Sequence, residues 1–137
     1  MRHLLFAAAL LVAAPALAAP ALADDEVPGC ENASSNVEIG YCVQDAYQKA
    51  DKALNAFWPK VLASIDAADY VPPADRKTWK ETVIAAQRAW VTFKEEDCAA
   101  VEYEWWGGSG AGIAEATCLY DRTTRRLEQL QDRYGDR

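Results

Sequence analysis

The sequence predicts an all-α fold, a small bundle of about three helices stapled by two disulfides. Three stretches of the chain carry apolar residues at the three- and four-residue steps of a helix, and the alternation typical of strands is almost absent. A Pro-Pro pair and a glycine-rich run separate these stretches. The chain also has an even number of cysteines, 4 in all, as expected for a small domain whose thiols pair.

The N-terminus has the pattern of a secretory signal peptide. A positively charged start precedes an almost unbroken apolar run over residues 4–17, and Ala21-Leu22-Ala23 fits the small-x-small cleavage pattern, with a second possible cut after Ala18. The run is short for a membrane span, and proline interrupts it. We therefore expect removal of residues 1–23 and a single domain over residues 24–137, periplasmic or secreted and without a membrane span.

The predicted mature chain is acidic. Loss of the one arginine in the signal leaves 13 of the 14 basic residues against 21 acidic ones, a net charge of −8. This charge disfavours nucleic acid as a partner and favours a strongly basic protein, although solubility alone also accounts for it. The only histidine, His3, lies in the signal. A histidine triad, a histidine base and the common zinc centres are thereby excluded, and we expect neither metal nor cofactor.

All of the cysteines lie in the predicted mature domain: Cys30, Cys42, Cys98 and Cys118. In an oxidising compartment they are expected to form two disulfides, for which three connectivities are possible. We favour Cys30–Cys42 and Cys98–Cys118, because each closes a short loop between neighbouring segments. Each bond would stabilise the domain by roughly 3 kcal/mol in the chain-entropy account. The alternative, a zinc site of four thiolates, lacks a CxxC pair.

The first predicted helix begins after Ser35, because Ser35 and Glu38 have the spacing of a capping box. Its apolar stripe follows helical steps: Ile39, Cys42, Ala46, Ala50, Leu54, Phe57 and Val61. Pro59 lies inside this stripe and is expected to kink or end the helix near Phe57.

The second predicted helix begins at Pro72-Pro73, since proline is tolerated in the first turn. Trp106 is its furthest limit, because the glycine-rich run then breaks it. A third helix is expected from about Gly112 to Tyr134. The buried stripe of the second helix would be Trp79, Val83, Ala86, Trp90 and Phe93, and the inner face of the third would carry Cys118, Leu127 and Leu130.

The segment Tyr103-Glu104-Trp105-Trp106 runs into Gly107-Gly108-Ser109 and is the best candidate for a binding surface. Neighbouring aromatic residues cannot all face one helix stripe, so at least one is expected in solvent, where tryptophan and tyrosine are favoured anchors for a partner. The alternative is that both tryptophans cap the core. The predicted partner-binding surface comprises Glu102, Tyr103, Glu104, Trp105, Trp106 and Ser109.

The block Gln87-Arg88-Ala89-Trp90, with Asp97-Cys98 downstream, is the most specific part of a recognisable series. Its other members are Tyr41-Cys42, Tyr47, Asp51, Leu54-Asn55, Phe93, Gly107-Gly108-Ser109, Cys118, Thr123 and Arg126. Together, from about Cys30 to Leu130, they resemble the lysozyme-inhibitor LprI-like N-terminal domain family. The chain departs from that family at Lys94, where an arginine is usual.

The resemblance implies a small exported helical domain of bacteria with paired cysteines and, for at least one branch of the family, binding and inhibition of lysozyme. It supplies no inhibitory motif to transfer. The matched polar residues are interpreted as a structural network that fixes helix register, in which Arg126 could pair with a carboxylate such as Asp51 or Asp97. A ligand site is the alternative. The network comprises Asp51, Asn55, Gln87, Arg88 and Arg126.

Three functions follow as hypotheses. The first is an exported, non-catalytic inhibitor that binds a basic lysozyme. The second is an envelope module that binds another exported protein or cell-wall glycan without inhibiting lysozyme. The third is a glycosidase with two catalytic carboxyl groups, although a solvated acidic helix face explains the same residues equally well. The available carboxyl groups are Glu95, Glu96, Asp97, Glu102 and Glu104.

Overall fold

The computed structural model describes residues 27–135, so the predicted signal peptide lies outside the described part of the chain. Within it the elements are three helices, α1 (Asn36–Asp66), α2 (Pro73–Glu104) and α3 (Ala111–Tyr134). The predicted all-α bundle is confirmed. Across the same 109 residues, no helix has the length and apolar character needed to cross a membrane.

The start of α1 is the predicted capping box. The hydroxyl of Ser35 accepts a hydrogen bond from the backbone N–H of Glu38 at 3.2 Å. In return, the Glu38 carboxylate accepts hydrogen bonds from the backbone N–H groups of Ser34 and Ser35. These hydrogen bonds, above all the one from the Ser34 backbone, lower the pKa of Glu38. The first helix therefore begins where its local sequence predicts.

Pro59 does not end α1, which continues to Asp66. A proline inside a helix costs about 3 kcal/mol. Val61 and Ile65, beyond it, are fully buried in the core. Burial of each such side chain contributes about 1.5–3 kcal/mol, so the two together offset the proline. Of the two expected effects, a kink or an end of the helix, the end was wrong because packing outweighed local propensity.

The third helix is the centre of the bundle, since it packs along both α1 and α2 while α1 and α2 touch little. One core cluster joins the second half of α1 to the end of α3: Leu54, Val61, Ile65, Leu130 and Tyr134. A second cluster at the opposite end of the bundle comprises Val27, Cys30, Val43 and Ala116. The start of α1, the end of α2 and the start of α3 therefore share one end.

The two disulfides have the favoured connectivity. Cys30 and Cys42 tie the segment before α1 to that helix, with their Cα atoms 5.8 Å apart. Cys98 and Cys118 tie α2 to α3, with their Cα atoms 5.5 Å apart. All of the thiols are consumed, so the four-thiolate zinc alternative does not apply.

The inner face of α2 differs from the predicted stripe. Trp79, Val83 and Trp90 pack against the core as expected. Phe93, however, is 51% exposed, and Ala86 is exposed as well. The buried positions in the second half of the helix are Lys94 and Cys98. The buried line thus runs from Trp90 through Lys94 to Cys98, in steps of four. Lys94 therefore faces inward, where the neighbouring ring of Phe93 was predicted to lie.

Candidate functional site

The loop between α2 and α3, residues 105–110, lies beside the start of α1 and is held in one conformation by several contacts. Gly107 has a φ of +74°, in the left-handed region that favours glycine. The backbone N–H of Gly108 donates to the carbonyl of Trp105 at 2.7 Å. The side-chain amide of Asn36 donates to the hydroxyl of Ser109 at 2.8 Å, which ties the loop to α1.

Two rings of the predicted surface stack on each other in solvent. The centroids of Tyr103 and Trp106 are 6.0 Å apart, and their planes differ by 8°. Tyr103 is 69% exposed and Trp106 is 83% exposed. The alternative that both tryptophans cap the core does not hold, because Trp105 is also exposed.

Trp105 is separated from this stack and packs over the backbone of Gly110. A Cβ atom at Gly110 would lie 3.3 Å from two carbon atoms of the Trp105 indole, so the glycine leaves room for the ring. The indole also lines a groove bordered by α3. The structure thus divides the predicted surface into a stacked pair that faces solvent and a third ring beside the groove.

The last turn of α2 is acidic and has no basic residue to complement it. Glu102 and Glu104 are exposed, and within residues 27–135 neither forms an ion pair. Carboxylates at a helix C-terminus oppose the helix dipole. At the end of α1, by contrast, Asp66 is paired with Lys80 at 2.6 Å. Glu102 and Glu104 therefore present unneutralised charge beside the stacked rings.

The predicted polar network consists of two separate pairs. The amide of Asn55 donates to Asp51 at 2.8 Å, within α1. The guanidinium of Arg126 donates to the side-chain oxygen of Gln87 at 3.0 Å, joining α3 to α2. Arg126 also lies over the ring of Trp90, and its burial, followed by the nearby Arg133, lowers its pKa.

Arg88 lies outside both pairs: its side chain is exposed and its backbone carbonyl accepts from Thr92. Neither of the carboxylates suggested for Arg126 pairs with it. Asp97 forms an ion pair with Arg122 at 2.6 Å, and Asp51 accepts from Asn55 and lies 4.0 Å from Lys94. Arg122 in turn covers the exposed ring of Phe93. Glu95, Glu96, Glu102 and Glu104, the other residues of the glycosidase hypothesis, are all exposed.

Sequence analysis noted Lys94 only as a departure from the family and missed its burial: the residue is 3% exposed. Its ammonium donates to the hydroxyl of Tyr47 at 3.0 Å and lies 4.0 Å from Asp51. It also sits 5.1 Å from the ring centroid of Tyr47 and 5.5 Å from that of Trp90. These partners compensate the desolvation of a buried charge. The four-residue spacing of Trp90 and Lys94 places both on one face of α2 and was a signal of this burial.

Residues 30–130 match the family described as lysozyme inhibitor LprI. The chain belongs to this family. The match includes all of the cysteines and the loop that carries the stacked rings. An uncharacterized protein of Rhizobium meliloti (strain 1021) is 30% identical over 108 residues, which cover 77% of this chain and 78% of the relative. No solved structure matches the LprI-family chain at a significant level.

Proposed function

We propose that this LprI-family protein is an exported, non-catalytic inhibitor of a basic lysozyme. In this proposal lysozyme contacts the end of the bundle where α2 passes into α3. Tyr103 and Trp106 are the anchors, and Glu102 and Glu104 supply electrostatic complementarity. The observation that carries the proposal is the exposed stacked pair beside two unpaired carboxylates, in a member of a lysozyme-inhibitor family.

The stacked pair suits an anchor because it combines apolar area with order. Tyrosine and tryptophan are enriched among the residues whose removal weakens interfaces most. Binding is weakened by the entropy lost when mobile side chains are fixed. The two rings support each other, and the Asn36–Ser109 hydrogen bond already holds the following loop. Little side-chain and loop entropy is therefore left to lose on binding.

The charge of the chain supports a basic partner. The sequence carries a net charge of −7 with the signal included. Complementary charge steers encounter and raises the association rate more than it raises affinity. Glu102 and Glu104 would therefore mainly raise the association rate, whereas the rings of Tyr103 and Trp106 would mainly lower the dissociation rate. Ser109 and Trp105 would hold the loop beneath this surface.

Export is supported by the N-terminal pattern and by the two disulfides. Structural disulfides form and persist in oxidising compartments such as the periplasm and the extracellular space. An inhibitor of cell-wall-degrading enzymes would meet its target in either place.

The roles of the proposed residues are tested by measuring how strongly the purified oxidised protein and its variants inhibit the lysis of peptidoglycan by lysozyme. Replacing Tyr103 and Trp106 together by Ala should raise the concentration needed for half-inhibition by about 30-fold, as expected for loss of about 2 kcal/mol at an anchor. The matched control is Tyr70→Ala, because Tyr70 is equally exposed but lies between α1 and α2 at the opposite end.

Two results would contradict this assignment. Unchanged inhibition by the Tyr103 and Trp106 variant would remove the rings from the interface. Binding of the protein to peptidoglycan without any effect on lysozyme would favour the envelope-module hypothesis instead.

A further inference from the structure

Negative charge is concentrated at the end of the bundle that carries the α2–α3 loop. This loop end comprises the segment before α1, the first turns of α1 and α3, the last turns of α2 and the loop itself, residues 27–48 and 95–121. Even when Lys49, Arg122 and Arg125 on the adjoining turns are counted with it, ten acidic residues stand against three basic ones, a net charge of −7. The whole chain has the same formal charge, −7, so its remainder is neutral. The ten acidic residues are Glu31, Glu38, Asp45, Glu95, Glu96, Asp97, Glu102, Glu104, Glu115 and Asp121.

The loop end also carries most of the exposed apolar side chains. Within residues 27–135, five of the seven large apolar side chains exposed to solvent lie there. Elsewhere, Arg122 lies over the ring of Phe93, and Tyr70 lies between α1 and α2. Clustered apolar exposure with a charged rim is typical of surfaces that bind other proteins. The five are Val37, Tyr41, Tyr103, Trp105 and Trp106.

Val37 and Tyr41 lie one turn apart on α1, and they are 67% and 77% exposed. The helix turns a different face toward α3, since a Cβ atom at Gly40 would lie 3.8 Å from a side chain of that helix. Asn36, directly before Val37, donates to Ser109 and so joins this part of α1 to the α2–α3 loop. The two exposed side chains therefore begin where the loop is anchored.

The stacked rings and their two carboxylates are too few to make a stable interface by themselves. Such interfaces bury about 800 Å² on each partner and involve about 20–30 residues. The neighbouring elements are α1 and α3. The first turn of α3 offers only small residues, Ala111 and Gly112, and two arginines follow further along that helix, Arg122 and Arg125. The first turns of α1 offer apolar area and contain no lysine or arginine before Lys49.

We propose that Val37 and Tyr41 form the α1 part of the interface with the basic lysozyme, next to the contact made by Tyr103 and Trp106. This inference rests on the proposed function and extends its surface to a second helix. A positively charged partner is attracted to the loop end as a whole, because charge complementarity steers the encounter. Val37 and Tyr41 then contribute apolar contact, which acts mainly on the dissociation rate.

Surface plasmon resonance with an immobilised, strongly basic lysozyme tests the apolar contact. Replacing Val37 and Tyr41 together by Ala should raise the dissociation rate constant about tenfold, as expected for loss of a contact of intermediate strength. The association rate constant and its dependence on salt should stay unchanged, since no charge is removed. The matched control is Tyr70→Ala, because Tyr70 is 74% exposed and lies at the opposite end. Thermal unfolding of each variant checks that the fold is intact.

A lysine substitution tests the charge of the partner. Tyr41→Lys places a positive charge against the basic surface, so it should weaken binding more than Tyr41→Ala does. Tyr70→Lys changes the net charge of the protein equally and is the matched control. It should weaken binding less, because its charge lies far from the partner.

Two results would overturn the inference while leaving the proposed function intact. In both, the wild-type protein binds and inhibits lysozyme. In the first, the Val37 and Tyr41 double variant dissociates at the wild-type rate. In the second, Tyr41→Lys and Tyr70→Lys weaken binding equally. Absence of lysozyme binding by the folded wild-type protein is a different outcome, which would overturn the proposed function and this inference together.

Discussion

The ammonium group of Lys94 on α2 donates a hydrogen bond to the hydroxyl of Tyr47 on α1 at 3.0 Å, in a setting that leaves the lysine almost fully buried. The two helices otherwise touch little, because α3 lies against both. Trp90 and Tyr47 place aromatic rings around the same charge. This contact therefore fixes how α2 sits relative to α1.

Lys94→Met should lower the free energy of unfolding by about 2 kcal/mol, since it removes one hydrogen bond, two contacts between a cation and an aromatic ring, and the 4.0 Å ion pair with Asp51. Lys94→Arg, which keeps the positive charge, is the conservative comparison and should lose less. Urea unfolding followed by circular dichroism measures both. Equal stability of Lys94→Met and the wild type would show that the buried charge contributes nothing net.

Replacing Thr123 is expected to raise the stability of the protein, whereas replacing Lys94 is expected to lower it. Its side chain is fully buried, and its hydroxyl has no hydrogen-bond partner within residues 27–135. A buried hydroxyl without a partner costs about 1–3 kcal/mol. Thr123→Val keeps the shape and removes that cost, so the unfolding midpoint in urea should rise. Thr123→Ser is the control: it keeps the hydroxyl, loses a methyl group and should be less stable than the wild type. A lower unfolding midpoint for Thr123→Val than for the wild type would contradict the account.

The capping box predicts a dependence on pH. Hydrogen bonds from Ser34 and Ser35 lower the pKa of Glu38 in the folded state. The unfolded chain therefore takes up the proton first as pH falls. The contribution of Glu38 is complete above its unfolded pKa and is lost as pH falls through the folded pKa. Glu38→Gln should show a smaller loss of stability on acidification than the wild type, measured by thermal unfolding across that range. An identical pH profile for the two proteins would exclude this role.

The Cys98–Cys118 disulfide brackets the loop that carries Trp106. The bond closes a 20-residue separation, and Cys98 is fully buried. Replacing both cysteines by Ala should lower the free energy of unfolding by about 3 kcal/mol in the chain-entropy account. Replacing Cys30 and Cys42 by Ala is the comparison. These cysteines are separated by 12 residues, so the loss of unfolding free energy should be slightly smaller. Thermal unfolding without reductant measures both, and an unchanged midpoint for the Cys98 and Cys118 variant would contradict the prediction.

Local rules predicted much of this fold. The Ser35–Glu38 box placed the start of α1, Pro73 opened α2, and the short loops between cysteines indicated the disulfide pairing. Each of these features depends on residues close together in sequence. The helical steps also predicted Leu54 and Val61 as core residues.

Features that depend on distant residues escaped prediction. Pro59 is tolerated because α3 buries the end of α1, and Lys94 is buried because α1 supplies Tyr47. In the candidate site, the sequence placed aromatic residues near a glycine loop but did not separate their roles. That Trp105 lies over Gly110 while Trp106 faces solvent follows from the loop conformation, which Asn36 of α1 helps to fix.

Lysis of a peptidoglycan suspension by a strongly basic lysozyme, with increasing amounts of the oxidised mature protein, tests the central claim most directly. We predict dose-dependent inhibition that weakens as salt is added, because salt screens the attraction between exposed charges. Absence of inhibition of any lysozyme tested, with the protein folded and both disulfides formed, would contradict the account.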